Sequence, residues 1–582
     1  MKAAAALLSL LAAACATPAA VDQAAAPVRV GIVGLNDFHG NLEPPKTSIQ
    51  APGETPEQTV RVPAGGVAYL ASAVSRLRAA NANSIVVSAG DMIGASPIAS
   101  AVFLDEPAVL AMNLVGVELN AVGNHEFDKG SAELLRMQKG GCEKNTGRQP
   151  CALEPFSGAK FRYLAANVAT ADGGTLFPAY AIRTFGKGRS RVKIGFIGLT
   201  TKETPSLVTP TGVAGLTFRD EAETINALVP RLKAEGADAV VVLIHEGLST
   251  KVGYNDKSCA GVAGDLLAIL ARLDPRVDLV VSGHTHNAYI CDYSKIDAKR
   301  PFLVTSAGKF GTLITDIRLD IDPVAGRVVA RRADNLIVQG EAYRAGSGDV
   351  PISTLYPAYP KDPGVAALVD RYVKAAAPLA ARVVGHISGP ALRASLSSRE
   401  QVLGDLVADS QLAAMKTAGA EIAFMNNYGV RADLDPGPGG AVTFGHLFAV
   451  QPFGNTLMMK SFTGRQVRAL LEQQFASGTN TVASPNMLLP SASLRYAYDL
   501  SRPEGQRILD LEVNGAPIED VRVYRVVMSN FLATGGDNFT LFKEGTNPVG
   551  GPVDLDALEA YFASGPVSPP PPDRIQDLTP KP

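Results

Sequence analysis

At 582 residues the chain exceeds the usual size of one domain, so two or more are expected. Hydrophobic residues make up 46% and charged residues 19%, which excludes a fibrous or disordered class and fits a globular protein with true cores. The net charge is −2 and no Lys/Arg block occurs, so a nucleic acid polymer is excluded as a partner while a small anionic ligand is not.

Residues 1–27 read as a signal or lipoprotein segment followed by a linker. MKAAAALLSLLAAACATPAA has one lysine and then an apolar run from Ala3 to Ala14, too short to span a bilayer as a helix. Leu11-Ala12-Ala13-Ala14-Cys15 resembles a bacterial lipoprotein box, which would lipidate Cys15 and anchor the protein to the outer membrane; the alternative is plain cleavage after Ala14 or Ala16. Either reading exports the chain to the periplasm. In that oxidising compartment Cys142, Cys151, Cys259 and Cys291 are expected to pair. Of three pairings, Cys142–Cys151 with Cys259–Cys291 is favoured, because each closes a local loop. No CxxC occurs, which disfavours a thiolate zinc site.

From residue 28 to about 320 short β-branched apolar runs alternate with amphipathic segments. The runs are VRVGIVGL (28–35), SIVVSAG (84–90), VKIGFIGL (192–199), DAVVVLIHEG (238–247), DLVVSGHTH (278–286) and PFLVTSAG (301–308). Helices are expected over 65–80, 222–236 and 264–273. Buried strands alternating with helices indicate a layered α/β domain, closed by an antiparallel pair, ITDIRLDID and VVARRADNLIV. This first domain spans 28–345. A linker and connecting helix occupy 346–382, a second domain 383–562, and a proline-rich tail, expected to be unordered, 563–582.

Ligands gather where the strands of an α/β sheet end. There the sequence places NDFHGN (36–41), SAGDMIG (88–94), AVGNHEFDKG (121–130), LIHEG (243–247) and SGHTH (282–286), which hold five of the seven histidines: His39, His125, His245, His284 and His286. Asp37 and His39 are separated by one residue, as are His284 and His286, so in extended backbone each pair can face one side. Asp91 adds a carboxylate able to bridge two cations, and Asn124 a neutral oxygen. Mixed N/O donors without thiolate suit a pair of divalent ions, Zn, Mn or Co.

These motifs resemble the calcineurin-type metallophosphoesterase superfamily, and their order is similar to the 5′-nucleotidase/UDP-sugar hydrolase family over about 28–560. The resemblance implies a four-layer αββα sandwich and a second α+β nucleotide-binding domain. It implies one metal on Asp37, His39, Asp91 and His286, and another on Asp91, Asn124, His245 and His284. His125 would stay off the metals, oriented by Asp128 three residues on, and stabilise charge on the phosphoryl group or leaving oxygen. The implied mechanism is in-line attack by a metal-bound hydroxide on a nucleoside 5′-monophosphate, with nucleotide sugars and 2′,3′-cyclic nucleotides as further substrates.

In the second domain NNYGVRADLDPG (426–437), VQPFGNT (450–456) and NFLATGGDNF (530–539) are similar to the family's nucleotide-binding segments. Phe453 and Phe531 match the aromatics that sandwich the base, Asp537 the acceptor of ribose hydroxyls, and Asn426, Arg431 and Asn455 polar contacts. Arg393 matches an arginine of the family, whereas Ser397 stands where relatives carry another, with Arg399 nearby to compensate. Two alternatives stand beside this reading: the same metal core acting on a cyclic phosphodiester or thiosulfonate ester, and a non-catalytic exported nucleotide-binding protein. The absence of GxSxG and of a P-loop lysine argues against a serine hydrolase and a P-loop enzyme. The sequence carries no signal for an oligomeric state.

Overall fold

The computed structural model describes residues 26–55, 58–208, 210–345 and 348–580; Cys15 and the rest of the proposed export segment up to Ala25 lie outside the described residues. Two six-stranded sheets of the first domain are built, in chain order, from β1 (Val28–Leu35), β2 (Ser84–Ser88), β3 (Leu119–Ala121), β4 (Arg162–Leu164), β5 (Tyr180–Phe185), β6 (Val192–Thr200), β7 (Ala239–His245), β8 (Leu279–Ser282), β9 (Ala288–Asp292), β10 (Leu303–Ala307), β11 (Leu313–Asp322) and β12 (Arg327–Ile337). One six-stranded sheet runs β12-β11-β1-β2-β3-β4 and the other β9-β10-β8-β7-β6-β5. β1 lies parallel to β2, with Ile32 opposite Ile85, and antiparallel to β11, with Ile32 opposite Ile317.

The continuous apolar runs follow from burial on both faces. Val30 and Ile32 point between the sheets, where they meet Val241, Leu243 and Val281. Val33 and Leu35 point outward onto the helix Val67–Ala80 through Val67, Leu70 and Val74. On the other side Val240, Val242 and Ile244 of β7 pack under Ile225, Val229 and Leu232 of the helix Glu221–Ala234. The result is the four-layer αββα sandwich. Two disulfides join Cys142 to Cys151 and Cys259 to Cys291, the favoured pairing.

The connecting helix Pro363–Ala380 is N-capped by Asp362, whose side chain accepts from Val365 N. It packs on the first domain through Val365, Leu368, Val369 and Tyr372. The second domain is α+β. One sheet orders Leu488–Pro490, Ile422–Asn426, Val523–Ser529, Thr456–Thr463 and Thr546–Val553; another orders Ala516–Pro517, Ile508–Val513, Leu494–Tyr498 and Ile575–Asp577. The last of these strands corrects the expectation of an unordered tail. Ile575–Asp577 pairs in parallel with Tyr496–Tyr498, and buried Arg574 forms a double hydrogen bond to Asp409 at 2.7 and 3.0 Å. The prolines precede this strand, so they remove no ladder hydrogen bond. Among the described residues no helix is long and apolar enough to cross a membrane.

Candidate metal centre and nucleotide cleft

The carboxyl ends of β1, β2, β3, β7 and β8 open on one edge of the sandwich, and each delivers a polar group there. Asp37 and His39 follow β1, Asp91 follows β2, Asn124 follows β3, His245 ends β7, and His284 and His286 follow β8. Asp37, His39, Asp91, His284 and His286 all adopt left-handed backbone, with φ of 48°, 47°, 51°, 70° and 60°. Such residues are uncommon outside glycine and cost energy that the surroundings must overcome, which is why they gather at functional sites. Here each tight turn aims a side chain back across the sheet edge.

The donor atoms fall into two groups that share Asp91. His39 Nε2 lies 3.1 Å from His286 Nε2, 3.9 Å from Asp37 Oδ1 and 3.6 Å from Asp91 Oδ2, and His286 Nε2 lies 3.4 Å from Asp37 Oδ1. In the second group His245 Nε2 lies 3.0 Å from Asp91 Oδ2 and 3.1 Å from Asn124 Oδ1, which is 3.0 Å from His284 Nδ1. Donors about 2.1 Å from one ion in a tetrahedron stand about 3.4 Å apart, so these separations fit a cation in each group. The two histidines of GHTH therefore fall in different groups, as the family resemblance implies, and their backbone is left-handed rather than the extended one expected from the spacing.

The protonation pattern also fits. His39 Nδ1 faces Gly94 O at 2.9 Å and His245 Nδ1 faces Ala89 O at 2.8 Å, so each Nδ1 donates and each Nε2 directs a lone pair inward. Burial pushes His39 and His284 down to about 3, leaving them neutral. Burial also lowers His245, but Asp91 outweighs it and carries the imidazole up to about 10; a dication between the two would displace that proton. His39 Nε2 and His286 Nε2 lie 3.1 Å apart, a separation that either a cation between them or a hydrogen bond satisfies.

His125 stands beside the cluster, its ring centroid 5.1 Å from that of His39. Its Nδ1 lies 2.9 and 3.1 Å from the Asp128 carboxylate oxygens, and its backbone N donates to Asp91 Oδ1 at 2.9 Å. The short 3₁₀ turn His125–Phe127 brings His125 and Asp128 together. Burial works against a charge on His125, yet Asp128 and Asp91 outweigh it and raise its pKa.

Residues without an assigned role in the sequence reading hold this geometry. Glu126 accepts from Asp91 N, Met92 N and Gly123 N at 2.9, 2.9 and 2.7 Å, tying the turns after β2 and β3 together. Asn36 donates to Asp37 Oδ2 and Gly308 O and accepts from Ala307 N, each at 2.7 Å. Gly123 admits Asp91: a Cβ there would meet Asp91 Oδ1 at 2.1 Å. Glu126 and Asn36 lie inside the quoted motifs, so the signal available was adjacency to candidate ligands.

The second domain contributes a wall to the same edge. The Phe453 ring stacks on His125 at 5.8 Å and 12°, and the Arg431 guanidinium lies 5.7 Å from the Phe453 centroid. Asp91 and Asp37 are near enough to act electrostatically on Arg431. Asn426 donates to Asp537 Oδ2 at 2.7 Å, and burial lifts the Asp537 carboxyl to about 6. Phe531 lies over Gly536, where a Cβ would sit 2.5 Å from the ring. Asn455 O accepts from Asp554 N at 2.8 Å. Arg393 donates to Arg431 O at 2.9 Å. Arg399 lies beside Tyr498, and Ser397 lines a cavity of about 380 Å³ with Pro572, Ile575 and Asp577.

Residues 31–288 match the family model for calcineurin-like phosphoesterases and residues 383–544 that for the 5′-nucleotidase C-terminal domain. The endonuclease YhcR of Bacillus subtilis is 29% identical over 540 residues, 92% of this chain but 40% of YhcR, so this chain spans less than half of that relative. The 5′-nucleotidase of Bos taurus is 26% identical over 583 residues, 93% of this chain and 89% of its own length. The crystal structure of a 5′-nucleotidase precursor from Thermus thermophilus matches with a TM-score of 0.72 at 27% identity, covering 95% of this chain and 99% of that one. With a phosphoesterase sandwich carrying two donor groups and a nucleotidase C-terminal domain closing over it, the chain belongs to the 5′-nucleotidase family of calcineurin-like phosphoesterases.

Proposed function

We propose that this protein is a two-metal hydrolase that removes phosphate from nucleoside 5′-monophosphates, with nucleotide sugars and 2′,3′-cyclic nucleotides as further substrates. The observation that carries this reading is the meeting of two donor groups around Asp91 with an aromatic and a guanidinium from the second domain directly above them. Asp37, His39, Asp91 and His286 hold one cation, and Asp91, Asn124, His245 and His284 the other; Zn, Mn and Co all suit these donors. When bound, the pair brings the pKa of water towards neutrality and offsets the charge of the phosphoryl oxygens.

The chain's own residues do the rest. With Nδ1 held by Asp128, His125 presents Nε2–H to the phosphoryl or leaving oxygen and delivers the proton as the ester bond breaks. Phe453 and Phe531 give the base its stacking faces, and Asp537, fixed by Asn426, accepts from the ribose hydroxyls. Arg431, Arg393 and Asn455 add polar contacts along the nucleotide. The two disulfides favour an oxidising location, in keeping with export to the periplasm.

Phosphate release from AMP, UDP-glucose and a 2′,3′-cyclic nucleotide, with metal analysis of the same sample, tests the proposal. AMP is expected to be hydrolysed fastest by protein carrying two ions per chain. Hydrolysis of a generic aryl phosphate without turnover of any nucleotide, or nucleotide binding without turnover under Zn, Mn and Co, would contradict it.

A further inference from the structure

The amino ends of the parallel strands form an edge of the sandwich opposite the metal centre. β1 has eight residues at about 3.3 Å each, so this edge lies about 25 Å from the donor groups. The turn between β5 and β6, GKGRSR over 186–191, projects from it with Lys187, Arg189 and Arg191 exposed. Gly186 N donates to Asn83 Oδ1 at 3.1 Å, and Asn83 Nδ2 donates to Arg29 O at 3.4 Å, so the turn sits beside the start of β1. Exposed Arg162 opens β4 on the same edge.

The carboxylates beside these cations are engaged by the fold. Glu118 faces Arg183 at 3.9 Å, Asp320 takes a double hydrogen bond from Arg29 at 2.7 and 3.1 Å, and Asp238 accepts from Lys193 N at 2.7 Å. Asp322 accepts from Val324 N and Ala325 N at 2.8 and 3.0 Å. Among the described residues neither Lys187 nor Arg191 forms an ion pair. The turn is thus a cationic spot on a chain whose net charge is −2.

An apolar side chain projects on the other side of the start of β1. The turn between β11 and β12 sets Asp322 opposite Arg327 and carries Val324, 77% exposed. Ile321 stands opposite Val28, and a Cβ at Gly326 would come 3.3 Å from Asp238 Oδ1, which places this turn on the same edge. Unpaired cations next to a projecting apolar side chain suit the boundary between headgroups and acyl chains, where the cations meet phosphate and the valine enters the apolar layer. A soluble polyanion would use the cations alone. The chain also enters here: Val28 begins β1, and residues 16–27 link it to Cys15, a reach of at most about 45 Å. A lipid on Cys15, as the lipoprotein-box reading has it, would hold this edge and not the metal cleft against a bilayer.

We propose that this edge, through Arg162, Lys187, Arg191 and Val324, docks on an anionic phospholipid surface and turns the metal cleft away from it. The contact is non-covalent and involves no substrate, so it stands apart from the hydrolase reading.

The test measures co-sedimentation of the full-length protein with vesicles of phosphatidylcholine alone and of an equimolar mixture with phosphatidylglycerol. The N-terminal segment is common to every sample, so the ratio of the two partition coefficients reads the charged edge whether or not Cys15 is acylated. Anionic vesicles should bind the parent at least about 25-fold more tightly, and the double variant Lys187→Gln/Arg191→Gln should lose most of that preference, roughly fivefold for each cation. Val324→Ser should weaken binding to both vesicles and leave the ratio unchanged. Thermal midpoints identify any variant that misfolds. A parent that binds both vesicles equally, a double variant that keeps the preference, or a Val324→Ser protein that binds both vesicles as the parent does would overturn the proposal. Binding to duplex DNA as tight as to the anionic vesicles would also overturn it, because the edge would then be a general polyanion surface.

Discussion

Asp91 Oδ2 lies 3.0 Å from His245 Nε2 and 3.6 Å from His39 Nε2, so a single oxygen touches one imidazole from each donor group. His125 lies next to this bridge but is committed through Nδ1 to Asp128. Replacing His125 with Asn should lower kcat by about 10²–10³ while both metals stay bound, because a charge-stabilising donor is lost and no ligand is. Steady-state kinetics with metal analysis checks this, and loss of the metals would contradict it. Phe453→Ala removes a stacking face worth about 1–3 kcal/mol, so KM for AMP should rise about 5–150-fold, with a smaller change for an aryl phosphate that carries no base. At this scale the histidines were legible because pairs one residue apart follow apolar runs. Glu126 and Asn36 were not: Glu126 grips Asp91 N from 35 residues away and Asn36 grips Gly308 O from 272 away, and no local pattern records either bond.

Among the elements, strands buried on both faces announce themselves as uninterrupted apolar runs, as β1 and β7 do. Segments stabilised from one side do not. The hairpin Thr47–Pro52 with Thr59–Ala64 is half-exposed, and Thr546–Val553 is a glycine- and proline-containing edge strand with almost no buried residue. The tail strand Ile575–Asp577 is fixed less by its composition than by Arg574, held by Asp409 and by the carbonyls of Asp405 and Pro490. Glu400 accepts from Arg574 N at 2.9 Å on the same strap. Arg574→Ala would leave Asp409 without its partner beside buried Glu400, so the second domain should lose about 3–5 kcal/mol in denaturant unfolding. A loss below about 1 kcal/mol would show the strap to be incidental. The Cys259–Cys291 bond ties the loop after β7 to β9, just beyond His286. Replacing both cysteines with serine should cost the first domain about 3–4 kcal/mol, read from its unfolding midpoint, by the loop entropy released.

For the molecule as a whole, the site belongs to neither domain alone. The first supplies the donor groups and His125; the second supplies Phe453, Arg431 and the Asn426–Asp537 pair, and the two meet where Phe453 stacks on His125. The connecting helix and the contact of Arg148 with Phe448, at 5.9 Å, hold this arrangement together. The two-domain order and the donor set were visible in motif order along the chain, whereas the closure of one domain over the other depends on contacts between segments far apart in the chain, as His125 and Phe453 are. The proposed hydrolysis requires two cations that share Asp91. Metal analysis of the purified full-length protein and of Asp91→Ala, supported by anomalous scattering from crystals of the parent, tests it most directly. Two ions per chain about 3.5–4 Å apart are expected in the parent, and the loss of both in the variant. A parent holding at most one ion, or a variant that keeps two, would contradict it.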